Sequence, residues 1–150
     1  MTGVSDLPDH TGYLLRAASN AVSHAFARKL AREGVTVAEW VVMRSLFGTG
    51  AIAPSVLADR IGLTKGAISK LSSRLLEKGL IERTGNALDM RGHSLSLSAA
   101  GEKKVPALAR LADENDAAFF GVLTGDEREA LRTSLYKLID SHELSDMPVN

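Results

Sequence analysis

The sequence predicts a mainly α-helical protein with a small β-hairpin: a winged helix-turn-helix unit between N-terminal and C-terminal helices. Apolar residues recur at helical spacing over most of the chain, and two short helices meet in a tight turn at Gly62. An alternating run, Ser94 to Leu97, follows them and indicates a strand. We expect residues 1–150 to form a single domain, with the winged helix-turn-helix lobe at 36–97 and helical dimerisation regions at 1–34 and 98–146.

Two helices are predicted before this unit. The first covers about residues 12–33 and ends at Gly34, and its alanine-rich side permits close contact with another helix. Thr36 opens the second helix through a capping box with Glu39, in which each residue bonds the backbone amide of the other. This helix continues to about Phe47.

The helix-turn-helix itself has clear boundaries. Pro54 is a typical first helical residue, and the helix that it opens ends at Gly62. Thr64 is the expected N-cap of the next helix, residues 65–78, because its hydroxyl can accept a hydrogen bond from a first-turn amide. Gly79 follows at the left-handed position that ends a helix.

The second helix of this unit has one apolar face and one small, hydroxylated and basic face. If Ile68, Leu71 and Leu75 face the core, a step of about 100° per residue puts five residues on the outer side or its flanks: Gly66, Ser69, Lys70, Ser73 and Arg74. Lysine and arginine attract phosphate, while serine hydroxyls hydrogen-bond phosphates or base edges. Such a face is most often only solvated, but here a predicted hairpin follows it.

The hairpin adds a second basic element. Residues 80–84 and 93–97 are predicted strands, and the loop between them, residues 85–92, carries Asp89 and Arg91. A guanidinium at a hairpin tip can enter the minor groove of DNA, where negative potential is concentrated. Asp89 would hold Arg91 in position.

Two more helices are predicted after the hairpin. Ser98 caps a long helix with an apolar seam spaced like that of a coiled coil, and Pro106 inside it predicts a kink or a delayed start. Thr124 and Glu127 open the last helix with a capping box. We infer that the flanking helices pack on a second copy, which would place two recognition helices about 34 to 36 Å apart. The alternative is that they pack on each other within a monomer.

Charge is balanced overall but unevenly distributed. The chain carries 18 Lys and Arg and 18 Asp and Glu. Residues 60–104 have nine basic residues against four acidic ones, whereas residues 105–150 have four against nine. A basic DNA-reading surface and an acidic region facing away from DNA are therefore predicted. The absence of cysteine excludes disulfides, thiolate metal sites and thiol redox sensing.

Other function classes find little support. The four histidines are scattered, which predicts no metal site, and His93 is interpreted as a phosphate contact. No catalytic grouping or phosphate-binding glycine loop is present, so we expect no enzymatic activity and no cofactor. No apolar stretch approaches the ~20 residues of a membrane span, and the N-terminus lacks a signal-peptide pattern, so we expect no membrane partner and a cytoplasmic protein.

The run LTKGAISKLSSRLLEKGLIER, followed by DMR and LSLSAAG, resembles the MarR family of bacterial winged-helix repressors over nearly the whole chain. Asp89, Arg91, Leu97 and Gly101 match that family's wing aspartate, minor-groove arginine, and the Leu and Gly that open the next helix. Three residues depart from its pattern: Ser98 replaces the commoner Thr, Ala53 is a poor N-cap, and Met90 stands where a second Arg is frequent. The last departure would weaken wing contacts.

The resemblance also implies an effector. Family members often release DNA when a small aromatic or anionic molecule binds between the dimer helices and the winged-helix lobes. The residues here that would line such a crevice are Tyr13, Arg16, Trp40, Met43 and Phe47. A Trp and a Phe at helical spacing are more often ordinary core residues.

The resulting hypothesis is a sequence-specific DNA-binding transcriptional regulator, a ligand-responsive repressor that binds a palindromic operator in double-stranded DNA as a homodimer. The expected DNA contacts are Thr64, Lys65, Gly66, Ser69, Lys70, Ser73, Arg74, Asp89, Arg91 and His93. One alternative is a winged-helix module that binds protein and not specific DNA, which the basic central segment disfavours. Another is a small-molecule carrier or enzyme, which would need a pocket of convergent polar groups.

Overall fold

The computed structural model describes residues 3–85 and 92–144. Within them it contains six α-helices, a short 3₁₀ helix at Leu7–Asp9 and a two-stranded antiparallel hairpin, so the predicted fold class is confirmed. The elements are α1 (Thr11–Ala31), α2 (Val37–Leu46), α3 (Pro54–Ile61), α4 (Lys65–Glu77), β1 (Ile81–Thr84), β2 (Ser94–Leu97), α5 (Ala99–Phe120) and α6 (Gly125–Ser141).

The helix-turn-helix has the predicted stops. Gly62 ends α3 with a φ of +78°, a left-handed conformation that glycine adopts without steric cost. The Thr64 hydroxyl accepts a hydrogen bond from an amide in the first turn of α4 at 3.1 Å. After α4, Gly79 has a φ of +70°, and the Leu80 amide donates to the Leu75 carbonyl at 3.0 Å. The predicted Schellman stop is therefore confirmed.

Both predicted capping boxes are present. The Thr36 hydroxyl accepts from the Glu39 amide at 3.1 Å, and the Glu39 carboxylate accepts from the Thr36 amide at 2.8 Å. In the second box, the Thr124 hydroxyl accepts from the Glu127 amide at 3.1 Å, and the Glu127 carboxylate accepts from the Thr124 amide at 2.9 Å. These bonds satisfy amides that a helix N-terminus otherwise leaves without partners.

The hairpin has a third component that the sequence did not indicate. β1 and β2 pair with Ile81 opposite Leu97 and Thr84 opposite Ser94. Ile52, in the link between α2 and α3, exchanges two backbone hydrogen bonds with Leu95 at 2.9 and 2.8 Å. This bridge fixes the start of the helix-turn-helix to the base of the hairpin.

Pro106 does not delay α5. The helix begins at Ala99, where the Ser98 hydroxyl accepts from the Gly101 amide at 3.1 Å, and it continues through Pro106. Pro106 and Glu102 are both exposed, so the hydrogen bond that proline removes lies on the solvent side. The expectation of a delayed start is therefore wrong.

The core joins the lobe to its flanking helices. It runs from the last turn of α1 through α2, α3, α4 and the hairpin to the first half of α5, where Val105 and Leu108 are buried. Further along α5, the buried Asn115 side chain donates to the Val22 carbonyl of α1 at 3.1 Å. This part of the predicted seam therefore packs within its own chain. By contrast, the first half of α1 and most of α6 are exposed.

Candidate nucleic-acid interface

The two faces of α4 divide as the sequence predicts. Ile68, Leu71 and Leu75 are buried beneath the helix. The N-cap and the outward face are exposed along their whole length: Thr64, Lys65, Gly66, Ser69, Lys70, Ser73 and Arg74. Small residues at the N-terminal end leave room for close approach of a duplex, and exposed lysine and arginine side chains lie on the same face.

Among residues 3–85 and 92–144, no acidic side chain pairs with the basic residues of this face. Within residues 3–85 and 92–144, the ion pairs join Lys78 to Glu39, Lys104 to Glu33 and Arg128 to Asp116. The basic side chains of the outward face of α4 take part in none of these pairs. They therefore keep their full attraction for phosphate.

A cavity of about 300 Å³ separates α4 from the hairpin. Its lining brings together three predicted contact residues, Lys65, Ser69 and His93. Ser55 and Arg83 also line it, and sequence reasoning missed both. Arg83 could have been found from strand alternation, because it pairs with Leu95 and so shares its face of the hairpin.

The remaining predicted wing contacts, Asp89 and Arg91, lie outside the residues that the structure describes. Their roles stay predictions. The strands that would carry them to DNA are described on both sides, and they hold the base of the hairpin beside the N-terminal half of α4.

The C-terminal end of α4 is fixed by a buried ion pair. The Lys78 ammonium donates to the Glu39 carboxylate and to the Gly34 carbonyl, both at 2.8 Å. Glu39 is fully buried, whereas the Lys78 side chain is 39% exposed. The turn that follows is held by Ser98, whose hydroxyl donates to the Gly79 carbonyl at 2.7 Å.

Opposing influences act on the Glu39 carboxyl. Burial is the largest single influence and raises its pKa, because a charged group loses its hydration there. Hydrogen bonds from Lys78 and Thr36, together with the charge of Lys78, lower the pKa and outweigh burial. The net pKa of Glu39 lies below its ordinary value of 4.5.

This lowered pKa predicts an acid-sensitive contribution to stability. A carboxyl whose folded pKa is lower than its unfolded pKa stabilises the fold above the unfolded value, and this contribution is lost as pH falls through the folded value. We therefore expect the free energy of unfolding of the wild type to fall more steeply than that of Glu39→Gln as pH is lowered below about 4.5, measured by urea denaturation. Glu129→Gln, at an exposed site of α6, is the control. Parallel pH profiles for wild type and Glu39→Gln would contradict the assignment.

The residues expected to line an effector crevice are not equivalent. Tyr13 and Arg16 are exposed on α1. Trp40 is half-buried and meets the edge of Phe26 with ring centroids 6.5 Å apart. Phe47 is half-buried under the Arg44 guanidinium, which lies 5.7 Å from the ring centroid.

Met43 is a correction to the sequence-based expectation. It is fully buried in the core and does not line an open crevice. Its position, three residues beyond Trp40 on α2, places it on the inward face of an amphipathic helix, where apolar contacts hold it.

Two features are absent from residues 3–85 and 92–144. No group of three or more His, Cys, Asp or Glu side chains there is arranged to hold a metal ion. None of the helices found there combines the length and the apolar character that a membrane span requires.

Comparisons with known proteins agree with this geometry. Residues 35–93 match the model of the MarR family. The chain is 30% identical to a probable transcriptional regulator from Pseudomonas aeruginosa of known structure, with a TM-score of 0.77 and coverage of 89% of this chain and 100% of the other. It is 29% identical to the HTH-type transcriptional repressor MdtR of Bacillus subtilis, over 87% of this chain and 74% of that protein.

A third similarity concerns a complex with DNA. A mutant form of MarR from E. coli, solved in complex with operator DNA, is 25% identical to this chain, with a TM-score of 0.77. The match covers 90% of this chain and 99% of that one.

Proposed function

Because the chain belongs to the MarR family and is a DNA-binding transcriptional regulator, we propose that it is a homodimeric repressor that recognises a palindromic operator. The observation that carries this proposal is the outward face of α4, which is exposed, basic and free of ion pairs within residues 3–85 and 92–144. On this proposal Ser69, Lys70, Ser73 and Arg74 meet the major groove or its phosphates, and Arg91 meets the minor groove.

The dimer proposal rests on exposed apolar surface. Leu14 and Leu15 in α1 are 53% and 47% exposed, and Tyr136 and Leu138 in α6 are 58% and 48% exposed. Side chains of this kind on two terminal helices favour association, because covering them removes apolar surface from water. A two-fold axis through this region would direct both copies of α4 toward one side.

Repression is supported by the similarity to MdtR, which is itself a transcriptional repressor. A ligand response is proposed from the family resemblance. Its candidate contacts are the exposed or half-buried members of the expected crevice, Tyr13, Arg16, Trp40 and Phe47. A small aromatic or anionic molecule would suit this set, which offers rings and a guanidinium.

Selection of bound fragments from random duplex DNA, carried out at two salt concentrations, tests this function. We expect a palindromic consensus whose half-sites are about 10 base pairs apart, with affinity that falls steeply as salt rises. Weak binding without a consensus would refute sequence-specific recognition and favour the protein-binding alternative. A consensus with a single half-site would refute the dimer while retaining specific recognition.

A further inference from the structure

We propose that Lys78 is a positioning residue that sets the orientation of α4 on DNA without touching DNA. It does so by tying the anchor segment, residues 78–80, to the turn between α1 and α2. This inference rests on the proposed DNA-reading role of α4. It adds a residue that the outward face does not contain, at the opposite end of the helix from Lys65.

The anchor segment joins three separate parts of the chain. Lys78 donates to the Gly34 carbonyl, just after α1, and to the Glu39 carboxylate in the first turn of α2. Ser98 donates through its hydroxyl to the Gly79 carbonyl at 2.7 Å and through its amide to the Leu80 carbonyl at 3.0 Å. The end of α4 is therefore held from one side by the α1–α2 turn and from the other by the start of α5.

Loss of the Lys78–Glu39 contact would be costly because the Glu39 carboxylate is fully buried. Its Oε1 atom accepts from both Lys78 and the Thr36 amide, while Oε2 is buried without a hydrogen-bond partner among the described residues. Removing the ammonium would leave a buried negative charge with no cation beside it, which is costly. The folded protein is therefore more stable when Lys78, and with it the end of α4, stays at this position.

In the described part of the chain, the rest of α4 has no comparable polar tether. Between Lys65 and Glu77, no side chain makes a hydrogen bond or ion pair to another described element, and the buried Ile68, Leu71 and Leu75 hold this part by apolar packing. At about 1.5 Å per residue, Lys65 lies about 20 Å along the axis from Lys78. A tilt of about 3° at the anchor would move the DNA-reading end by about 1 Å, enough to disturb hydrogen bonds to bases.

The test compares four single variants on the selected operator, each measured for affinity at several salt concentrations and for unfolding in urea. Lys78→Met keeps the apolar stem and removes the donor, and Glu39→Gln keeps the capping box and removes the charge. Lys78→Arg keeps a cation at this position and should bind the operator nearly as tightly as the wild type. Lys104→Met is the matched control, because it removes one charge and breaks the Glu33 pair, which does not involve α4.

We expect Lys78→Met to weaken operator binding by about 2- to 30-fold with the slope of log affinity against log salt unchanged. Glu39→Gln should also weaken binding, although loss of a negative charge would by itself strengthen it. The double variant should bind no more weakly than the weaker single variant, because both act through one contact. Lys104→Met should bind within about 2-fold of wild type, as expected for a site outside this contact.

Three results would overturn the proposal. A slope reduced by about one unit in Lys78→Met would make Lys78 a direct phosphate contact. Stronger operator binding by Glu39→Gln would mean that Glu39 affects binding only through the total charge of the protein. Unchanged affinity in both variants, with only the unfolding energy altered, would make the pair purely structural. Failure of the wild type to select an operator would refute the proposed function itself, and this inference with it.

Discussion

Replacing Gly101 by alanine is expected to lower the free energy of unfolding by about 3 kcal/mol. A Cβ at this position would overlap the Leu80 carbonyl oxygen and lie 3.1 Å from both the Leu80 carbonyl carbon and the Leu97 Cδ2 atom. The obstacle is backbone that cannot easily yield, since the Leu80 carbonyl also accepts from the Ser98 amide at 3.0 Å. Relief would require α5 to move away from the end of α4.

Urea denaturation at fixed protein concentration measures this effect. Gly125→Ala is the matched control, because Gly125 is also in the first turn of a helix and an added Cβ there meets nothing within 4 Å. We expect that variant to be neutral or stabilised by up to about 1 kcal/mol. If the free energy of unfolding of Gly101→Ala lies within about 0.5 kcal/mol of that of Gly125→Ala, α5 does not approach the anchor segment as closely as described.

The features predicted correctly from the sequence depend on local chemistry. The caps at Thr36, Thr64 and Thr124 each involve residues three positions apart, and the stop at Gly79 needs only a glycine with a positive φ. The outward face of α4 follows from helical periodicity alone. Such features can be read from short windows, because the residues that create them are neighbours in the chain.

The features that were missed depend on distant residues. Lys78 and Glu39 are 39 positions apart, and no local pattern indicates that a lysine at the end of one helix will meet the cap of another. Ile52 and Leu95 form a bridge from a segment too short to show strand alternation. Each requires knowing how the helices pack.

The apolar seam of α5 illustrates a different limit. Its spacing of three and four residues predicts a buried stripe, and Val105 and Leu108 are indeed buried. Spacing does not identify the partner, however, and Asn115 in the same seam bonds Val22 of α1 in its own chain. Periodicity therefore identified the covered face of α5 as far as Asn115, whereas Val122, the last residue of the predicted seam, lies beyond the helix and is 88% exposed. The tertiary arrangement determined what covers the rest.

The double substitution Lys70→Ala/Arg74→Ala is expected to weaken operator binding about 10- to 100-fold and to flatten its salt dependence. Each neutralised phosphate contributes roughly −0.9 to the slope of log affinity against log salt, so loss of two contacts should reduce the slope by about 1.8. Both side chains are exposed and unpaired within residues 3–85 and 92–144, so the substitution should change stability by less than about 0.5 kcal/mol. Fluorescence anisotropy on the selected operator at several salt concentrations measures both quantities.

Lys103→Ala/Arg110→Ala is the matched control. It also removes one lysine and one arginine, and both residues are exposed on α5 and unpaired in the described part of the chain. Long-range attraction depends on total charge, so both variants lose that part of the binding energy equally. Only a side chain that reaches the duplex can also contact phosphate directly, so only the α4 variant should lose that additional part of the salt dependence. Equal slopes for the two variants would therefore mean that α4 contributes charge without contact, and that another surface reads the operator.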